Sequence, residues 1–370
     1  MKQNIGVLFG GKSPEHDISI ITAMQVIANL NTYLYNIIPL YMDKSGRITT
    51  STNYYNLQDF KCVKKAKKVL FECGNSSILI KKFLGYVKVQ LHACVVCNHG
   101  QNGEDGALSG MLNLLNIPYT CPDIIGSSVG CDKVIFKDVL KSLDINYVPY
   151  VELQEEEYIN NKEYVINNSI KQLQFPLIIK PARLGSSIGI NICKNVENIE
   201  ECINNSLLFD NKLLLEKFLD IEKEVNFALF INNDLVKSNI EQPLTHDEIL
   251  TFSNKYLTNN SKGMQGAKRT TPKLTRIQKE YIIESAIKLY RHLELKGVVR
   301  FDFIIADKVY LNEINTIPGS MANYLFEGRS FSNQLTEQIR YCINEKSRRD
   351  SKINYFNSSV LDEKFEIIKK

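Results

Sequence analysis

A strand pattern that ends in a glycine turn opens this chain, and it limits what the first third of the chain can fold into. The stretch NIGVLFGG reads as a buried strand, and Ser13 and Pro14 after it are residue types that begin a helix. Apolar residues then recur with helical spacing as far as Leu30. The stretches YNIIPLYM and HACVVCNHG read as further strands, and GALSGMLNLLN reads as a helix. This alternation predicts a small parallel sheet.

The rest of the chain combines clear helix and strand patterns with two segments that cannot be assigned. DKVIFKDVLKSL and residues 275–293 have helical patterns, as does the stretch near 195–208, whereas EVNFALFI and DLVKSNI indicate an antiparallel sheet. Residues 46–85 are polar and lysine-rich, and no element can be assigned to them. Residues 243–273 form a long polar segment without apolar periodicity. Segments of that length inside compact domains tend to be lids or disordered stretches.

The composition narrows the class of protein. A length of 370 residues predicts about two to three domains. The chain is 44% hydrophobic and carries a formal net charge of +4, which is too even a balance to predict a nucleic acid or an anionic membrane as partner. No apolar run approaches the ~18 residues of a membrane span.

The nine cysteines do not indicate a disulfide framework. Their number is odd, they are scattered through apolar runs, and no secretory leader precedes them. We therefore expect a cytoplasmic protein with reduced thiols. Cys94 and Cys97 have the spacing of a redox pair, but they lie inside an apparent strand, so buried structural thiols are the favoured interpretation.

A predicted hairpin, RFDFIIADKVYLNEIN, carries two acids on one face. If its turn is centred on residues 307–308, Asp302 lies opposite Glu313 and Arg300 lies opposite Asn315. Two carboxylates across a ladder repel each other, and a divalent cation would convert that cost into a binding site. Oxygen ligands fit Mg²⁺, which completes its shell with phosphate and water. The alternative is a solvated polar face on which Arg300 neutralises one acid.

The stretch KPARLGSSIG joins two apolar runs and is long for a hairpin turn. Exposed backbone N–H groups in such a glycine-rich loop form a cradle for anions, and Lys180 would add a positive charge. The loop could close over a triphosphate and exclude water. The alternative is a mobile surface loop.

Seven motifs in order resemble those of the D-alanine–D-alanine ligase family of the ATP-grasp superfamily. They are LFGGKSPEHDISI, NHGQNGEDGALSGMLNLLNIPYT, GCDKVIFKDVL, FPLIIKPARLGSSIG, LLLEKF, VRFDF and LNEINTIPGS, and the resemblance covers roughly residues 4–345. It implies an α/β N-terminal domain followed by two α+β ATP-grasp subdomains. The implied boundaries are 1–121 for the first, 122–213 for the central subdomain and 214–345 for the last, which contains a lid loop at 243–273. Residues 346–370 are a polar tail to which we assign no role.

The resemblance implies an ATP-dependent ligase that joins two D-alanine molecules for peptidoglycan precursor synthesis. ATP would be the cosubstrate, and two Mg²⁺ ions, or Mn²⁺ in their place, would assist. The first carboxylate would attack the γ-phosphate, and the second amine would attack the resulting acyl phosphate. We expect a homodimer. The alternatives are a ligase that joins D-alanine to D-serine or D-lactate, and an inactive ATP-binding regulator, although the latter would be expected to have lost a metal ligand or Arg300.

The resemblance also assigns substrate and catalytic residues. Glu15 would anchor the first ammonium group, although a carboxylate at the start of a helix is also a favourable placement with respect to the helix dipole. Tyr256 in the lid, Ser186 in the phosphate loop and Glu15 would form a hydrogen-bond chain, and Arg300 would hold the first carboxylate and the developing oxyanion. The other substrate contacts would be His99, Gly319, Ser320 and Leu325.

The remaining implied residues bind nucleotide and metal. Phosphates would be held by Lys133, Lys180, Gly185, Ser186, Ser187 and Lys255. The adenine pocket would be lined by Glu216, Lys217 and Leu219, and Glu224 would bind the ribose. The Mg²⁺ ligands would be Asp302, Glu313, which bridges the two ions, and Asn315.

Two positions depart from the family pattern. Leu184 stands where many members carry a glutamate in the phosphate loop. Tyr324 replaces a serine that helps to bind the second substrate's carboxylate, and Ser320 is the nearest substitute.

Overall fold

A computed structural model describes residues 2–60, 66–244 and 269–353 of the chain. Within these ranges the strands form a seven-stranded sheet, two four-stranded sheets and a two-stranded ribbon. The strands are β1 (Gln3–Gly10), β2 (Tyr35–Met42), β3 (Ile48–Thr50), β4 (Lys67–Glu72), β5 (Ser77–Lys81), β6 (Tyr86–Gln90), β7 (Ala93–Val96), β8 (Tyr150–Gln154), β9 (Leu177–Pro181), β10 (Asn191–Cys193), β11 (Lys212–Lys217), β12 (Lys223–Asn232), β13 (Asp234–Lys237), β14 (Gln242–Pro243), β15 (Arg269–Thr270), β16 (Val299–Ile305) and β17 (Val309–Asn315). The helices are α1 (His16–Asn29), α2 (Leu57–Phe60), α3 (Ala107–Leu114), α4 (Ile124–Cys131), α5 (Lys133–Ser142), α6 (Glu155–Asn160), α7 (Lys162–Leu173), α8 (Ile199–Leu207), α9 (Arg276–His292) and α10 (Phe331–Asp350).

The first sheet has the strand order β6-β5-β4-β3-β2-β1-β7. Strand β1 pairs in parallel with β2 and β7, so the predicted parallel sheet is confirmed for these three strands. The part of the chain at 46–85 that could not be assigned from its sequence extends this sheet with antiparallel strands. Within the described part of that stretch, β3 has no buried residue and Val69 is the one buried residue of β4. Such strands lack a clear apolar face, so their sequences do not show the alternation that predicts a strand.

Helix α10 returns to the first sheet after the chain has built the other two. Its residues Phe331, Leu335, Ile339 and Cys342 share one hydrophobic cluster with strands β1 and β7. The chain before this helix, at Ile317 and Met321, belongs to the same cluster. The segment after β17 is thereby held against helix α1.

The second and third sheets are both antiparallel. The second has the order β10-β9-β11-β8 and shares a core with helices α7 and α8. The third has the order β13-β12-β16-β17, and helices α5 and α9 cover its apolar face. Helix α9 begins with a capping box between Thr275 and Gln278. The helices predicted from DKVIFKDVLKSL and over 275–293 are confirmed as Lys133–Ser142 and Arg276–His292.

The predicted hairpin forms from β16 and β17, and its key register is confirmed. Arg300 pairs with Asn315 and Asp302 pairs with Glu313. The turn is centred on Asp307 rather than between Asp307 and Lys308, because Ile305 pairs with Val309. An extra residue on β17, Asn312, then shifts the register between Asp302 and Phe303 and places the two acids opposite each other.

Cys94 lies in strand β7 and Cys97 just beyond it, and both are buried. Burial raises the pKa of both thiols, which makes them poor nucleophiles and confirms the structural interpretation. None of the helices seen in the described ranges is both long enough and apolar enough to cross a membrane.

Candidate active site

The polar face of the third sheet, the β9–β10 loop and the start of helix α1 meet in one region. Strand alternation explains the composition of the sheet face, since Phe301 and Phe303 point into the core while Arg300 and Asp302 point away from it. The hairpin therefore presents its charges on the side where the loop and helix α1 approach.

Arg300 and Asp302 form a two-pronged ion pair. The Nε and Nη2 atoms of Arg300 donate to the two carboxylate oxygens of Asp302, each at 2.7 Å. The Nη1 atom of Arg300 donates to the hydroxyl of Tyr324 at 3.2 Å. Arg300 is only 8% exposed, and although burial would lower its pKa, the charge of Asp302 raises it well above its ordinary value. A guanidinium held in this way is a fixed positive charge.

The donor set on this face suits a hard cation. Asp302 and Glu313 are opposite each other in the ladder, and the Asn315 amide donates to Asp302 at 3.0 Å. Within the described ranges no group of three or more His, Cys, Asp or Glu side chains could hold a metal ion. This face offers two carboxylates, from Asp302 and Glu313, and the Asn315 amide. Mg²⁺ is commonly bound by one or two carboxylates together with phosphate oxygens and water, and these residues fit that pattern.

Glu216 is buried between two lysines. Its carboxylate pairs with Lys180 and, through the other oxygen, with Lys137 at 2.8 Å. Burial alone would raise the pKa of Glu216, but the charges of Lys137 and Lys180 outweigh it and lower the pKa to about 2. Lys137 is 1% exposed, and burial lowers its pKa. Sequence reasoning missed Lys137, although it lies one helical turn after Lys133 on the same helix.

The β9–β10 loop reaches across to helix α1. The hydroxyl of Ser186 donates to the carboxylate of Glu15, which directly precedes α1. Lys133 donates from its Nζ atom to the carbonyl of Leu184 at 2.5 Å. Ser186 and Ser187 both adopt left-handed backbone conformations, which turn the loop sharply at this point. The loop, α5 and α1 are thus joined by side-chain contacts.

Glu104 is a second carboxylate near Glu15 that sequence reasoning did not single out. Its oxygens accept the backbone N–H of Gly100 at 2.9 Å and of Ile317 at 3.0 Å. Burial and the charge of Glu15 raise the pKa of Glu104 to about 8, so it is mostly protonated at neutral pH. Glu104 links the loop after β7 to the segment after β17, and its position in the GEDG motif was the available signal.

His99 and Ser320 both contact Thr22 on helix α1. The Nε2 atom of His99 lies 3.0 Å from the Thr22 hydroxyl, and the Ser320 amide donates to that hydroxyl at 3.3 Å. Burial lowers the pKa of His99 to about 4, so the ring is neutral at pH 7. The hydroxyl of Ser320 is buried and donates to Gln25 at 2.5 Å.

The remaining predicted site residues are placed as follows. Gly319 begins a short 3-10 segment that ends at the buried Leu325. Lys217 is exposed at the end of β11, Leu219 is buried after it, and Glu224 lies at the start of β12. The β-carbon position of Gly185 lies 3.5 Å from Glu15. The lid residues Lys255 and Tyr256 lie outside the described residues.

Comparison with known proteins identifies the family. The model for the D-ala D-ala ligase N-terminus matches residues 4–122, and that for the D-ala D-ala ligase C-terminus matches residues 139–332. The D-alanine–D-alanine ligase of Thermosipho melanesiensis is 37% identical over 368 residues, which cover 97% of this chain and 98% of the relative. The chain belongs to the D-alanine–D-alanine ligase family. The resemblance drawn from the seven motifs is therefore confirmed.

Solved structures of D-alanine–D-alanine ligases and related enzymes share the fold. The crystal structure of the Helicobacter pylori D-alanine–D-alanine ligase has a TM-score of 0.75 and 28% identity, and covers 91% of this chain and 98% of its own. The VanG D-Ala:D-Ser ligase of Enterococcus faecalis has a TM-score of 0.79 and 25% identity, and covers 92% of this chain and 100% of its own. The predicted fold class, an α/β domain with two α+β ATP-grasp subdomains, is confirmed.

Proposed function

We propose that this chain joins two D-alanine molecules at the expense of ATP, through an acyl phosphate, and so supplies D-alanyl-D-alanine for peptidoglycan precursors. One contact carries the proposal. Ser186, in the loop suited to hold phosphates, donates to Glu15, the residue suited to hold a substrate ammonium group. A phosphate-covering loop that touches the amino-acid pocket is what transfer between ATP and an amino acid requires.

The second and third sheets, with the segments next to them, bind the nucleotide. Lys180 and Lys133 neutralise the phosphates, with Lys255 from the lid, and the amides of Gly185, Ser186 and Ser187 add donors. Glu216, Lys217 and Leu219 line the adenine pocket, and Glu224 binds the ribose. Asp302, Glu313 and Asn315 would hold Mg²⁺, or Mn²⁺ in its place. The bound cations would neutralise charge between the two reacting anions.

The first D-alanine is held by charge at both ends. Glu15 binds its ammonium group, and Arg300 binds its carboxylate close to the γ-phosphate. His99, neutral at pH 7, lies near this carboxylate as an uncharged partner. After phosphoryl transfer, Arg300 stabilises the oxyanion that forms when the second amine attacks.

The second D-alanine contacts Gly319, Ser320 and Leu325. Its amine must lose a proton before it attacks, so higher pH favours the reaction. Tyr256 in the lid completes the hydrogen-bond chain with Ser186 and Glu15. Closing the lid at 243–273 keeps water from the acyl phosphate.

Each of the three domains predicted from the sequence has its own role in this proposal. Residues 1–121 help to bind the amino acid, and residues 122–213 and 214–345 grip ATP between them. We further propose a homodimer in the cytoplasm, with D-alanine and ATP as its partners and no role for nucleic acid or membrane.

The phosphate loop at 184–189 is predicted to become protected when nucleotide binds. Limited proteolysis of the free protein should cut this loop, and ATP with Mg²⁺ and a substrate analogue should slow the cut, because the loop gains phosphate contacts. Cleavage at a site in the exposed turn at 83–85 serves as the control, and its rate should not change. Equal cleavage of the loop in both conditions would show that it is no lid.

The acceptor is predicted to be D-alanine rather than D-lactate at neutral pH and above. A site for lactate would be expected to place a cationic or histidine donor in the lid, whereas this lid offers Tyr256 beside Lys255, and the nearest histidine is His246. A competition assay with equal D-alanine, D-serine and D-lactate, analysed by product mass, tests this. A dominant depsipeptide would refute it.

D-serine is the second candidate acceptor, because one hydroxyl is hard to reject by packing alone and Tyr324 changes the pocket wall. The likeness to a solved D-Ala:D-Ser ligase keeps that candidate open. Dominant D-alanyl-D-serine in the competition assay would favour it. Nucleotide binding without any product would instead favour the inactive regulator.

A further inference from the structure

An arginine that no motif identified lies over the ring of Tyr324. The guanidinium carbon of Arg269 is 3.9 Å from the ring centroid, which is the geometry of a cation–π contact. Arg269 also pairs with Glu241, with 3.0 Å between Nε and Oε1. Both Arg269 and Glu241 are largely buried, so solvent screens this arrangement weakly.

Glu241 connects Arg269 to the third sheet, which carries Asp302 and Glu313. Its backbone exchanges two hydrogen bonds with Asn226 on β12, at 2.8 and 3.0 Å. Asn226 in turn pairs with Asp302 on β16. The position of Arg269 is therefore fixed relative to the strand that bears Arg300 and Asp302.

Tyr324 connects Arg269 to Arg300. Asp302 occupies the Nε and Nη2 atoms of Arg300, and the Tyr324 hydroxyl accepts from Nη1. Asp302 does not contact the Nη1 arm, which the Tyr324 hydroxyl holds instead. The hydroxyl can hold that arm only while the ring keeps its orientation, and Arg269 covers the ring.

We propose that Arg269 is a positioning residue for Arg300 and acts through Tyr324. Arg269 packs on the ring of Tyr324 and keeps the ring in one orientation. The Tyr324 hydroxyl then lies where it accepts a hydrogen bond from Nη1 of Arg300, the arm that Asp302 does not hold. This inference rests on the proposed function for its kinetic consequence, because a misplaced Arg300 would stabilise the oxyanion poorly. Its geometric consequence, a fixed Arg300, does not depend on the reaction.

The kinetic test is a double-mutant cycle on kcat. Tyr324→Phe keeps the ring and removes the hydroxyl, and Arg269→Met removes the guanidinium at similar length. Each is expected to lower kcat about 10- to 100-fold, since a displacement near 1 Å can cost about 10²-fold. If Arg269 acts through the hydroxyl, the double variant is no slower than Tyr324→Phe alone. Fully additive losses, or a loss confined to KM for the acceptor, would overturn the proposal.

A second pair of variants separates positioning from folding. Arg269→Lys keeps the charge beside Glu241 but loses the flat stacking surface, so it should fold normally and still lose activity. Arg329→Met is the matched control, because Arg329 also lies over a ring, that of Phe230 at 5.5 Å, but pairs with Glu337 rather than with Glu241. It should leave kcat unchanged. Full activity in Arg269→Lys, or an equal loss in Arg329→Met, would overturn the proposal.

Chemical modification gives a readout that is independent of turnover. Phenylglyoxal labelling of Arg300, followed by peptide mass analysis, should be faster in Tyr324→Phe and in Arg269→Met than in the wild type and Arg329→Met. Unchanged labelling in both variants would overturn the proposal. A wild type that makes no dipeptide would refute the proposed function, while faster labelling in the variants would still support the positioning of Arg300.

Discussion

Replacing Glu313 by glutamine is expected to abolish turnover while the protein stays folded. Glu313 lies opposite Asp302, and the pair is the carboxylate part of the proposed Mg²⁺ site. The substitution keeps the shape of the side chain and removes its charge. Metal ions supply several kcal/mol of charge stabilisation, so a loss of about 10³-fold or more in kcat is expected from a phosphate-release assay.

The control for this variant lies on the same hairpin. Asp307 is exposed at the turn and accepts the Tyr310 hydroxyl at 2.9 Å. Asp307→Asn removes the same charge from the same hairpin but leaves the acid face intact, so it should retain activity. Near-normal activity of Glu313→Gln at saturating Mg²⁺ would show that the hairpin is only a polar face.

Replacing Lys137 by methionine is expected to give the largest loss of stability. Glu216 would keep only Lys180 as a charged partner while it remains buried. Removing one member of a buried ion pair typically costs about 3–5 kcal/mol, so the free energy of unfolding measured in urea should fall by about that amount. Adding Glu216→Gln should not recover this loss, because it also removes the charged partner of the largely buried Lys180.

Lys162 provides the comparison, since it pairs with Glu200 at 2.7 Å on the surface. Lys162→Met should cost less than about 1 kcal/mol. Losses of similar size in the two methionine variants would contradict the role given to Lys137.

The free energy of unfolding should fall at low pH because of the ion pairs between Glu216 and its two lysines. The pKa of Glu216 is lowered to about 2 from an ordinary 4.5, so the stability it contributes is complete above pH 4.5 and is lost as the pH falls towards 2. In Lys137→Met this loss should be smaller and should end at a higher pH, because one of the two charges that lower the pKa of Glu216 is gone. Urea titrations from about pH 2 to about pH 7, which span both pKa values, measure this.

Patterns local in sequence predicted much of the site. Alternation along β16 and β17 was enough to place Arg300 and Asp302 on one face, because side chains in a strand alternate between faces. The extra residue Asn312 could not be foreseen, since a bulge leaves the alternation on either side intact. The correct pairing of Asp302 with Glu313 was therefore reached from a turn centred between residues 307 and 308, whereas the turn is centred on Asp307.

Contacts distant in sequence were not predictable from patterns. In the sequence, Lys137 is one of several lysines on a predicted helix, and its importance appears only when β11 places Glu216 beside it. Arg269 belongs to no motif, and its contact with the ring of Tyr324 is visible only in the structure. The residues Ser320, Met321 and Ala322 all adopt left-handed conformations that none of them favours alone, so tertiary contacts must hold them. Burial and charge pairing between distant segments produce these features.

The most direct test of the account follows oxygen from substrate to phosphate. D-alanine labelled with ¹⁸O in its carboxylate is incubated with the purified protein, ATP and Mg²⁺, and both products are analysed by mass. If the carboxylate attacks the γ-phosphate, released phosphate carries one ¹⁸O atom and appears in equal amount with D-alanyl-D-alanine. Unlabelled phosphate, or phosphate release without dipeptide, would contradict the account.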